Sequence, residues 1–308
     1  MGRGLSETRC GFVALIGAPN AGKSTVINAL VGEKLSIVTR KAQTTRTIVR
    51  GVLTNGDAQI IFVDTPGLFA PKRRLERAMT ASAWGAAADA DVLALIIDAR
   101  KEAAESSLTE ETGGILEALE ANGKPKVLIL NKIDAMERGR LLELSARLNG
   151  AAHFDETFMI SAATGDGLDR LKSRLAALIP AGPWHYPEDQ IAEAPMRSLA
   201  AEITREKLFD RLHDELPYQA TVETDSWKEQ KDGSARIEQT IFVTRESHRK
   251  IVIGEGGRTI KAIGTAARKD IAEAHGANVH LFLHVKVREN WLDDPERYRA
   301  MGLEFPKG

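Results

Sequence analysis

Short apolar runs alternate with stretches of helical periodicity along the first part of the chain. Five runs have the length of a buried strand, at residues 12–16, 60–63, 92–97, 127–130 and 158–160. Residues 48–53 alternate apolar and polar side chains, so we expect a strand that pairs antiparallel with the next one. Helical periodicity fills the segments between the strands, at 23–31, 75–87, 108–121, 141–148 and 168–178. This alternation predicts an α/β domain with a mostly parallel sheet and helices on both faces.

Prolines and glycines interrupt this pattern at one place. Pro180, Gly182, Pro183 and Pro187 fall within eight residues, and proline this dense stops helices and stiffens a chain. We therefore expect a first domain over residues 1–180, a proline-rich linker over 181–190 and a second domain over 191–308.

The second part of the chain has a different order of elements. The pattern predicts a helix over 196–213, strands over 219–227 and 234–244, and a last strand over 279–287. The Asp232-Gly233 pair between the first two strands is a strong hairpin signal. A short helix leads into Gly254, and a longer one follows to about residue 275. The order α-β-β-α-α-β predicts an α+β domain.

Residues 17–24 read GAPNAGKS and match G-x-x-x-x-G-K-S between a predicted strand and a predicted helix. The glycines let the backbone wrap closely around phosphate, and successive N–H groups form an anion site at the helix N-terminus. Lys23 is expected to contact the β- and γ-phosphates, and Ser24 to bind Mg²⁺. A glycine-rich turn with a chance lysine is the alternative. The nucleotide-binding residues predicted here are Gly17, Ala18, Pro19, Asn20, Ala21, Gly22, Lys23, Ser24 and Thr25.

Residues 64–67 read DTPG and follow the predicted strand over 60–63. A carboxylate at the carboxyl end of such a strand lies near the phosphate loop, so Asp64 is expected to hold Mg²⁺ through water. Glycine permits close approach of a ligand to the backbone, so the Gly67 N–H is expected to contact the γ-phosphate.

Residues 131–134 read NKID, end the predicted strand over 127–130, and indicate which base is bound. A carboxylate at Asp134 accepts from N1–H and the 2-amino group of guanine, and adenine offers neither donor. Asn131 is expected to bond the base edge and to tie neighbouring loops together. The Lys132 stem is expected to cover the ring.

The dipeptide Ser161-Ala162 ends the next predicted strand and places the Ala162 N–H to donate to guanine O6. In this order the motifs resemble those of the GTPase branch of the P-loop proteins. The resemblance implies GTP and GDP as ligands, with Mg²⁺, and a threonine after the first helix that binds Mg²⁺ and senses the γ-phosphate. Thr45 aligns best with that position, and Thr44 is the alternative. Lys23, Thr45 and Gly67 are then the catalytic residues.

Two positions within this resemblance bear on catalysis. Leu68 stands where Ras-like GTPases carry a water-orienting glutamine, and a leucine side chain forms no hydrogen bond. The water must then be oriented by backbone, by another side chain or by a cation. Asn20 stands where potassium-dependent relatives place a K⁺ ligand. A loop asparagine that tolerates a turn conformation is the equal alternative.

Residues 254–257 read GEGG, a G-x-x-G that precedes a predicted helix. With two strands before it and one after, the segment resembles the loop of a type II KH module, which clamps about four nucleotides of RNA. Glu255 departs from basic KH loops and shifts the expected charge contacts to Arg258 and Lys261. The RNA-binding residues predicted here are Arg249, Lys250, Gly254, Glu255, Gly256, Gly257, Arg258 and Lys261.

Charge supports the RNA site only locally. Lys and Arg number 42 against 43 Asp and Glu, a net charge of -1. Within residues 245–269, however, seven basic residues stand against two acidic ones, which favours a phosphate groove over an ordinary solvated helix face. Trp227 and Trp291 are expected in a core or an interface rather than stacked on bases.

The two domains together resemble the Era family of GTPases over nearly the whole chain, including the NWLDD segment at 290–294. The resemblance implies a monomeric, GTP-hydrolysing switch protein that binds 16S ribosomal RNA and assists assembly of the 30S ribosomal subunit. An RNA-binding chaperone that GTP merely stabilises is one alternative. A signalling GTPase that acts through protein partners is the other.

Cysteine content and the length of the apolar runs indicate the cellular compartment in which we expect the protein. Cys10 is the single cysteine, which excludes an intramolecular disulfide and a cysteine-based zinc cluster and fits a reducing cytosol. No apolar run approaches the roughly 18 residues that span a bilayer. We therefore expect a cytoplasmic protein with no transmembrane segment. Peripheral association with a membrane surface stays open.

Overall fold

The computed structural model describes residues 8–39, 41, 44–191 and 196–306. Contacts within the chain divide these residues into two units. The first unit contains residues 8–36, 45–191 and 302–306, and the second contains 37–39, 41, 44 and 196–301. Two short segments, at 37–44 and after 301, therefore belong to the unit opposite to their neighbours in sequence.

A six-stranded sheet forms the centre of the first unit. Its strands are β1 (Arg9–Ile16), β2 (Val49–Asn55), β3 (Ala58–Asp64), β4 (Val92–Asp98), β5 (Lys126–Asn131) and β6 (Glu156–Met159). They lie in the order β2-β3-β1-β4-β5-β6, and only the pair of β2 and β3 is antiparallel. The mostly parallel sheet and its antiparallel second strand confirm the sequence prediction.

Helices cover both faces of this sheet. They are α1 (Lys23–Val31), α2 (Arg74–Asp89), α3 (Ala99–Glu102), α4 (Glu110–Glu120), α5 (Arg138–Ala151) and α6 (Leu168–Leu178). Because side chains alternate along a strand, Val13 and Leu15 of β1 join a core with α1 and α6. Ala14 and Ile16 join a second core with α2, α4 and α5.

Helix α3 was not expected from the sequence, because four residues are too short to show helical periodicity. The Asp98 carboxylate caps its N-terminus by accepting from the backbone N–H of Lys101. Glu102, 3% exposed, then accepts hydrogen bonds from Thr109 and Thr112 at the start of α4. These contacts are formed by side chains rather than by an apolar face, so hydropathy carries no signal for them.

The segment expected as a linker lies against the first unit. The Gly182 N–H donates to the Thr8 carbonyl at 2.9 Å, and the Val52 N–H donates to the Ile191 carbonyl at 2.9 Å. Its backbone thus pairs with the residue before β1 and with the edge strand β2. Its contacts are therefore those of a structural part of the first unit.

The second unit has one three-stranded sheet and four α-helices among its described residues. They are α7 (Met196–Arg211), β7 (Ala220–Glu229), β8 (Ala235–Val243), α8 (Glu246–Ile253), α9 (Arg258–His275), β9 (Val279–Val287) and α10 (Pro295–Ala300). Strand β8 is central, antiparallel to β7 and parallel to β9. Apart from α10, this is the expected α-β-β-α-α-β order. Across both units, no described helix is long and apolar enough to cross a membrane.

The inner face of this sheet packs on helices. Ile237 and Ile241 of β8 are fully buried, and Ile263, Ala267 and Ile271 of α9 lie in the same two cores. The outer face presents the alternate residues of each strand. Part of it is covered by the chain after β9, where Arg297 pairs with Glu223.

Part of the loop between α1 and β2 is built into the second unit. Ile37 is 2% exposed and joins the core that contains Ala200 and Ile203 of α7. The Val38 N–H donates to the Glu206 carboxylate at 2.9 Å. The loop thus leaves the first unit after Ser36 and rejoins it at Thr45.

Candidate functional site

The phosphate loop connects β1 to α1, as the motif predicts. Its conformation requires glycine at two positions, because Gly17 has a φ of 150° and Gly22 a φ of 100°. A Cβ at Gly17 would lie 2.3 Å from the Ile96 carbonyl oxygen, and one at Gly22 would lie 2.3 Å from Asn131 Nδ2. The loop is therefore held between the ends of β4 and β5.

Lys23 begins α1 and is 6% exposed. Its Nζ donates to the Gly17 and Ala18 carbonyl oxygens, both at 3.0 Å. Burial lowers the pKa of Lys23 to about 8, against the opposing effect of the Asp64 charge. The ammonium thus lies inside the phosphate loop in an environment that lacks a full counter-charge.

Asp64 ends β3 and gathers hydroxyl groups around one of its oxygens. Ser24 Oγ and Ser36 Oγ each donate to Asp64 Oδ2 at 2.7 Å, and Thr45 Oγ1 lies 3.5 Å from it. Ser24 Oγ and Thr45 Oγ1 are 2.9 Å apart. The other oxygen, Asp64 Oδ1, is buried without a hydrogen-bond partner among the described residues.

This donor set fits Mg²⁺. The ion prefers hard oxygen ligands and keeps several waters beside substrate phosphates, which matches two hydroxyls and one carboxylate. Burial raises the pKa of Asp64, while hydrogen bonds from Ser36 and Ser24 and the charge of Lys23 oppose that rise. A divalent cation would satisfy the unpartnered Oδ1, directly or through water.

The two candidate switch threonines occupy different surroundings. Thr45 is 8% exposed and lies beside Ser24 and Asp64 in the first unit. Thr44 Oγ1 donates to the Lys41 carbonyl at 2.8 Å and lies 2.8 Å from Thr39 Oγ1, in the second unit. The hydroxyl geometry around Asp64 therefore favours Thr45.

Gly67 and Leu68 lie against the phosphate loop. A Cβ at Gly67 would lie 2.9 Å from Pro19, and the Leu68 N–H donates to the Gly17 carbonyl at 3.0 Å. The Leu68 side chain is 2% exposed and packs with Ala14 and other residues of the second core of this unit. Its side chain thus has a packing role.

The residues expected to contact the base converge at the ends of β5 and β6. Asn131 Nδ2 donates to the Ala21 carbonyl at 3.1 Å, and the Ala162 N–H donates to Asn131 Oδ1 at 3.1 Å. Asn131 thus ties the two loops together, as expected. Ser161 Oγ donates to Asp134 Oδ1 at 2.6 Å, so the carboxylate is oriented before a base arrives.

Lys132 is held across the mouth of the base region. Its Nζ lies 2.6 Å from Asp98 Oδ2 and donates to the Asn20 carbonyl at 2.7 Å. Lys132 has a φ of 68° and Asn20 a φ of 64°, both left-handed. Asparagine tolerates that region unusually well, so the backbone conformation alone explains why an asparagine stands at position 20. The K⁺ interpretation remains a prediction.

The G-x-x-G loop joins α8 to α9 in a backbone shape that glycine alone adopts readily. Gly254, Gly256 and Gly257 have φ values of 75°, 60° and 76°. A Cβ at Gly254 would lie 2.2 Å from Thr259 Oγ1. Glu255 pairs with Arg258 at 2.6 Å, and both side chains are largely exposed, so the pair offsets part of the loop's charge.

The other predicted RNA contacts surround this loop. Lys250 and Lys261 are exposed, and Arg249 donates to the Val285 carbonyl of β9 at 3.2 Å. Trp291 is 1% exposed and donates to the Gln219 carbonyl, and Trp227 packs with a core of the second unit. Both tryptophans are therefore structural, as expected.

Sequence reasoning missed two polar residues of the nucleotide site. Ser36 donates to Asp64 but lies in an irregular loop, where a serine is unremarkable. Asp98 ends β4 and pairs with Lys132, and its register partner is Asn131. A carboxylate at the carboxyl end of a predicted parallel strand was the available signal for Asp98.

Two protein-family models match the chain in separate places. The family described as 50S ribosome-binding GTPase matches residues 12–132, and the family described as KH domain matches residues 215–292. The first match begins in β1 and ends just after β5, and the second extends from before β7 to beyond β9. The first therefore covers the phosphate loop, Asp64 and Asn131 but ends before Asp134 and Ser161, and the second covers the whole G-x-x-G loop.

Similar proteins match over nearly the whole chain. GTPase Era of Bradyrhizobium sp. strain BTAi1 is 61% identical over 98% of this chain and 96% of its own length. GTPase Era of Rhizobium meliloti strain 1021 is 59% identical over 99% and 96%. A crystal structure of Era in complex with MgGDPNP and nucleotides 1506–1542 of 16S ribosomal RNA matches with a TM-score of 0.89 at 36% identity, covering 96% of this chain and 99% of that one. A variant of Aquifex aeolicus Era bound to GDP·AlF4⁻ matches with a TM-score of 0.87 at 35% identity, over 96% and 99%.

Proposed function

The chain belongs to the Era family of GTPases, and on that premise we propose that its first unit hydrolyses GTP while its second binds 16S ribosomal RNA. The observation that carries the proposal is the convergence of Ser24, Thr45 and Asp64 beside Lys23 in a phosphate loop. The Era structure that holds MgGDPNP and part of 16S ribosomal RNA supports both halves.

Hydrolysis needs stabilisation of charge on the γ-phosphate rather than covalent chemistry from the protein. Mg²⁺ supplies part of that charge when it is bound with the nucleotide. Ser24 and Thr45 would bind the ion directly, and Asp64 would hold its water. The Lys23 ammonium, which now donates to backbone carbonyls, would turn to the β- and γ-phosphates, with the Gly67 N–H on the γ-phosphate.

Guanine specificity rests on the oriented Asp134 carboxylate. Ser161 occupies one position on Oδ1 and leaves acceptor sites for N1–H and the 2-amino group of the base. Facing adenine, the Asp134 carboxylate, which is exposed in the free protein, would lack these two charge-assisted hydrogen bonds, worth roughly 1.5–3 kcal/mol each. The Ala162 N–H, now bonded to Asn131, remains the predicted donor to guanine O6.

Orientation of the attacking water falls to groups other than residue 68. Because the Leu68 side chain is buried in a core, it does not reach the phosphate as a hydrogen-bonding group. Backbone, another side chain and a K⁺ ion at Asn20 are the candidates. Hydrolysis measured in KCl and in NaCl tests the last of these: equal rates would exclude a K⁺ requirement.

A matched pair of threonine variants tests the hydrolytic site. We expect Thr45→Ala to slow single-turnover GTP hydrolysis at least ~10-fold, about 1.4 kcal/mol of transition-state stabilisation, because a magnesium ligand is lost. Thr44→Ala should retain the rate, since its hydroxyl bonds Thr39 and Lys41. The reverse result would move the switch role to Thr44.

For the second unit, we propose that RNA binding serves assembly of the 30S subunit in the cytoplasm. The G-x-x-G conformation and the exposed Arg258, Lys250 and Lys261 support an RNA groove. A chaperone that GTP only stabilises would show no turnover, and a signalling GTPase would not bind ribosomal RNA. GTP turnover together with direct binding to ribosomal RNA therefore distinguishes all three.

A substitution in the loop tests the RNA half independently. Gly254→Asp adds a charge and a side chain where even a Cβ would overlap Thr259. We expect it to abolish binding to an RNA from the 3′ end of 16S ribosomal RNA, while GTP hydrolysis without RNA is retained. Undiminished RNA affinity would refute the groove assignment.

A further inference from the structure

The outer face of the second unit's sheet carries an exposed aromatic ring. Phe282 of β9 is 44% exposed, and among the described residues it is the one Phe, Tyr or Trp in the exposed class. Its neighbours on this face are set by the parallel register, which pairs His280 with Arg236 and Phe282 with Glu238. A single exposed apolar side chain is normal on a protein surface, so the evidence for a binding site comes from the groups around this ring.

A second phenylalanine on the same face shows the contrast. Phe242 of β8 lies under two arginines from the chain after β9, with Arg288 and Arg297 at 5.0 and 5.5 Å from its ring centroid. Within the described parts of the chain, Arg236 is the one cation over the Phe282 ring, 4.5 Å from its centroid, and that arginine is itself about half exposed. The part of the face around Phe282 is thus open where the part around Phe242 is covered.

Two clefts border this open part at the turn between β7 and β8. One, of about 590 Å³, is lined by Lys231, Arg236, His280 and Phe282 together with three polar residues of the turn. The other, of about 430 Å³, is lined in part by Arg268, Lys269 and His280. The two share His280 and the turn residues Asp232 and Ser234.

The charge of these clefts suits a polyanion. Lys231, Arg236, Arg268 and Lys269 line them against one carboxylate, Asp232. That carboxylate is used internally, because its Oδ1 accepts from both the N–H and the Oγ of Ser234. Arg236 is itself paired with Glu238 at 3.0 Å, so the clefts combine three further cations with a stackable ring, a combination that binds single-stranded nucleic acid without base-specific readout.

Helix α9 connects these clefts to the G-x-x-G loop. Arg258, Lys261, Thr265 and Arg268 are exposed, and their spacing of three and four residues places them on one face of the helix. Arg258 lies beside the loop and Arg268 at a cleft, about 15 Å apart at the helical rise per residue. From Arg268 the two clefts, which share His280, continue around the end of the sheet to Phe282.

We propose that the outer sheet face beside the β7–β8 turn is a second RNA-contact site, in which an unpaired base stacks on Phe282 while the clefts hold the flanking phosphates. This inference rests on the proposed RNA-binding function and extends it beyond the G-x-x-G groove. RNA that occupies the groove alone, about four nucleotides, does not reach this site. Longer RNA does.

The test compares short and extended RNA on the full chain. The probes are an RNA of about four nucleotides from the 3′ end of 16S ribosomal RNA and two RNAs about three times as long, extended on the 5′ and 3′ sides. We expect Phe282→Ala to weaken binding of one extended RNA at least ~5-fold, the loss of one stacked base. Binding of the short RNA should not change.

Matched variants separate stacking from folding. Phe282→Trp should keep the affinity of the extended RNA, because it keeps a stacking surface, and Phe282→Leu should lose it. Leu142→Ala, which truncates a side chain 64% exposed in the first unit, should change nothing. Lys231→Gln and Arg268→Gln should each reduce the slope of log affinity against log salt by about 0.7.

Two outcomes overturn the inference. One is equal affinity of Phe282→Ala and the unaltered chain for both extended RNAs. The exposed ring would then not contact RNA, and a protein partner would be the alternative ligand. The other is an equal loss on short and extended RNA in a Phe282→Ala variant that keeps its thermal stability, which would assign the effect of the ring to the G-x-x-G groove. Failure of the unaltered chain to bind any of the three RNAs would instead refute the proposed function.

Discussion

At the scale of single residues, Lys23 and Asp64 are held in mutually dependent charge states. Burial lowers the pKa of Lys23 and raises the pKa of Asp64, and each charge partly restores the other. Nucleotide and metal bring opposite charges to both groups: phosphate favours the ammonium, and Mg²⁺ favours the carboxylate. The site thus exchanges protons when it is loaded.

This exchange gives a pH prediction with a definite sign. Below pH 8, Lys23 is protonated with or without nucleotide; between pH 8 and about 10.5 the free protein has lost that proton, whereas phosphate should retain it. Binding of GDP near pH 9 is therefore expected to take up close to one proton. Calorimetry in buffers of different ionisation enthalpy measures the uptake.

The control is Lys23→Arg, which keeps a positive charge that does not titrate. It should abolish the proton uptake at pH 9, even where affinity falls. Uptake that persists in this variant would assign the proton to another group.

The lowered pKa of Lys23 also affects folding stability. Between pH 8 and about 10.5 the unfolded chain holds a proton on this lysine that the nucleotide-free folded chain has lost. The free energy of unfolding is therefore expected to increase as pH rises through this range.

The carboxylate of Asp134 gives the second prediction at this scale. Asp134→Asn retains an oxygen that accepts from Ser161 but loses the charge that binds the guanine donors. We expect affinity for GDP to fall at least ~10-fold, consistent with a charge-assisted hydrogen bond of roughly 1.5–3 kcal/mol. Titration with GDP and ADP measures it, and an unaltered preference for GDP would refute the base assignment.

At the scale of elements, the predicted pattern and the structure agree best where an apolar face defines the element. Helices α1 and α6 and strand β9 have the expected bounds, because each buries a regular stripe of side chains. Helix α3 depends on Asp98 and Glu102, and α10 on an Asp294 cap followed by Pro295. Such short elements are set by capping and tertiary contacts, which periodicity does not report.

The candidate sites show the same difference between residues that a sequence pattern identifies and residues that only tertiary structure brings into place. Motifs located the loops at the ends of β1, β3 and β5, since parallel strands present these ends together. Ser36 and Phe282 were missed for different reasons. Ser36 reaches Asp64 through an irregular loop, whereas the exposure of Phe282 depends on which part of the sheet the later chain covers.

Loop geometry gives the prediction at the element scale. Gly254→Ala places a methyl group 2.2 Å from Thr259 Oγ1 at φ 75° and ψ 168°, a region that only glycine adopts readily, so we expect the second unit to lose stability by about 1–3 kcal/mol and RNA affinity to fall. Gly264→Ala on α9 is the matched control, because its Cβ meets only Leu283 at 3.4 Å. Thermal unfolding and RNA titration compare the two; equal behaviour would mean that the loop tolerates a side chain.

At the scale of the whole molecule, the loop between α1 and β2 links the chemistry of one unit to the core of the other. Ser36 donates to Asp64, while the adjacent Ile37 is buried with Ala200 and Ile203. Thr44 and Thr45 likewise belong to different units. On the proposed function, we therefore expect phosphate contacts that reposition Thr45 to bias this segment, as a two-state switch requires.

The burial of Ile37 in the second unit supplies a testable prediction. We expect RNA affinity to differ between GDP and a non-hydrolysable GTP analogue, and Ile37→Ala to reduce that difference, because truncation of a buried isoleucine removes roughly 2–5 kcal/mol of packing. Val38→Ala is the neighbouring control, since Val38 is 43% exposed and bonds Glu206 through its backbone. Equal RNA affinities in both nucleotide states would end the switch hypothesis.

The chain returns to the first unit after its second unit is complete. Leu303 is 3% exposed, Phe305 lies under the Arg74 guanidinium at 5.1 Å, and Gly302 and Glu304 border a cleft along α2. In topological terms the RNA-binding half is an insertion into the enzyme rather than an appendage to it. A GTPase fragment that ends at residue 191 would lack the segment from Gly302 onward that packs on the first unit. Its kinetics would therefore be those of an incomplete domain.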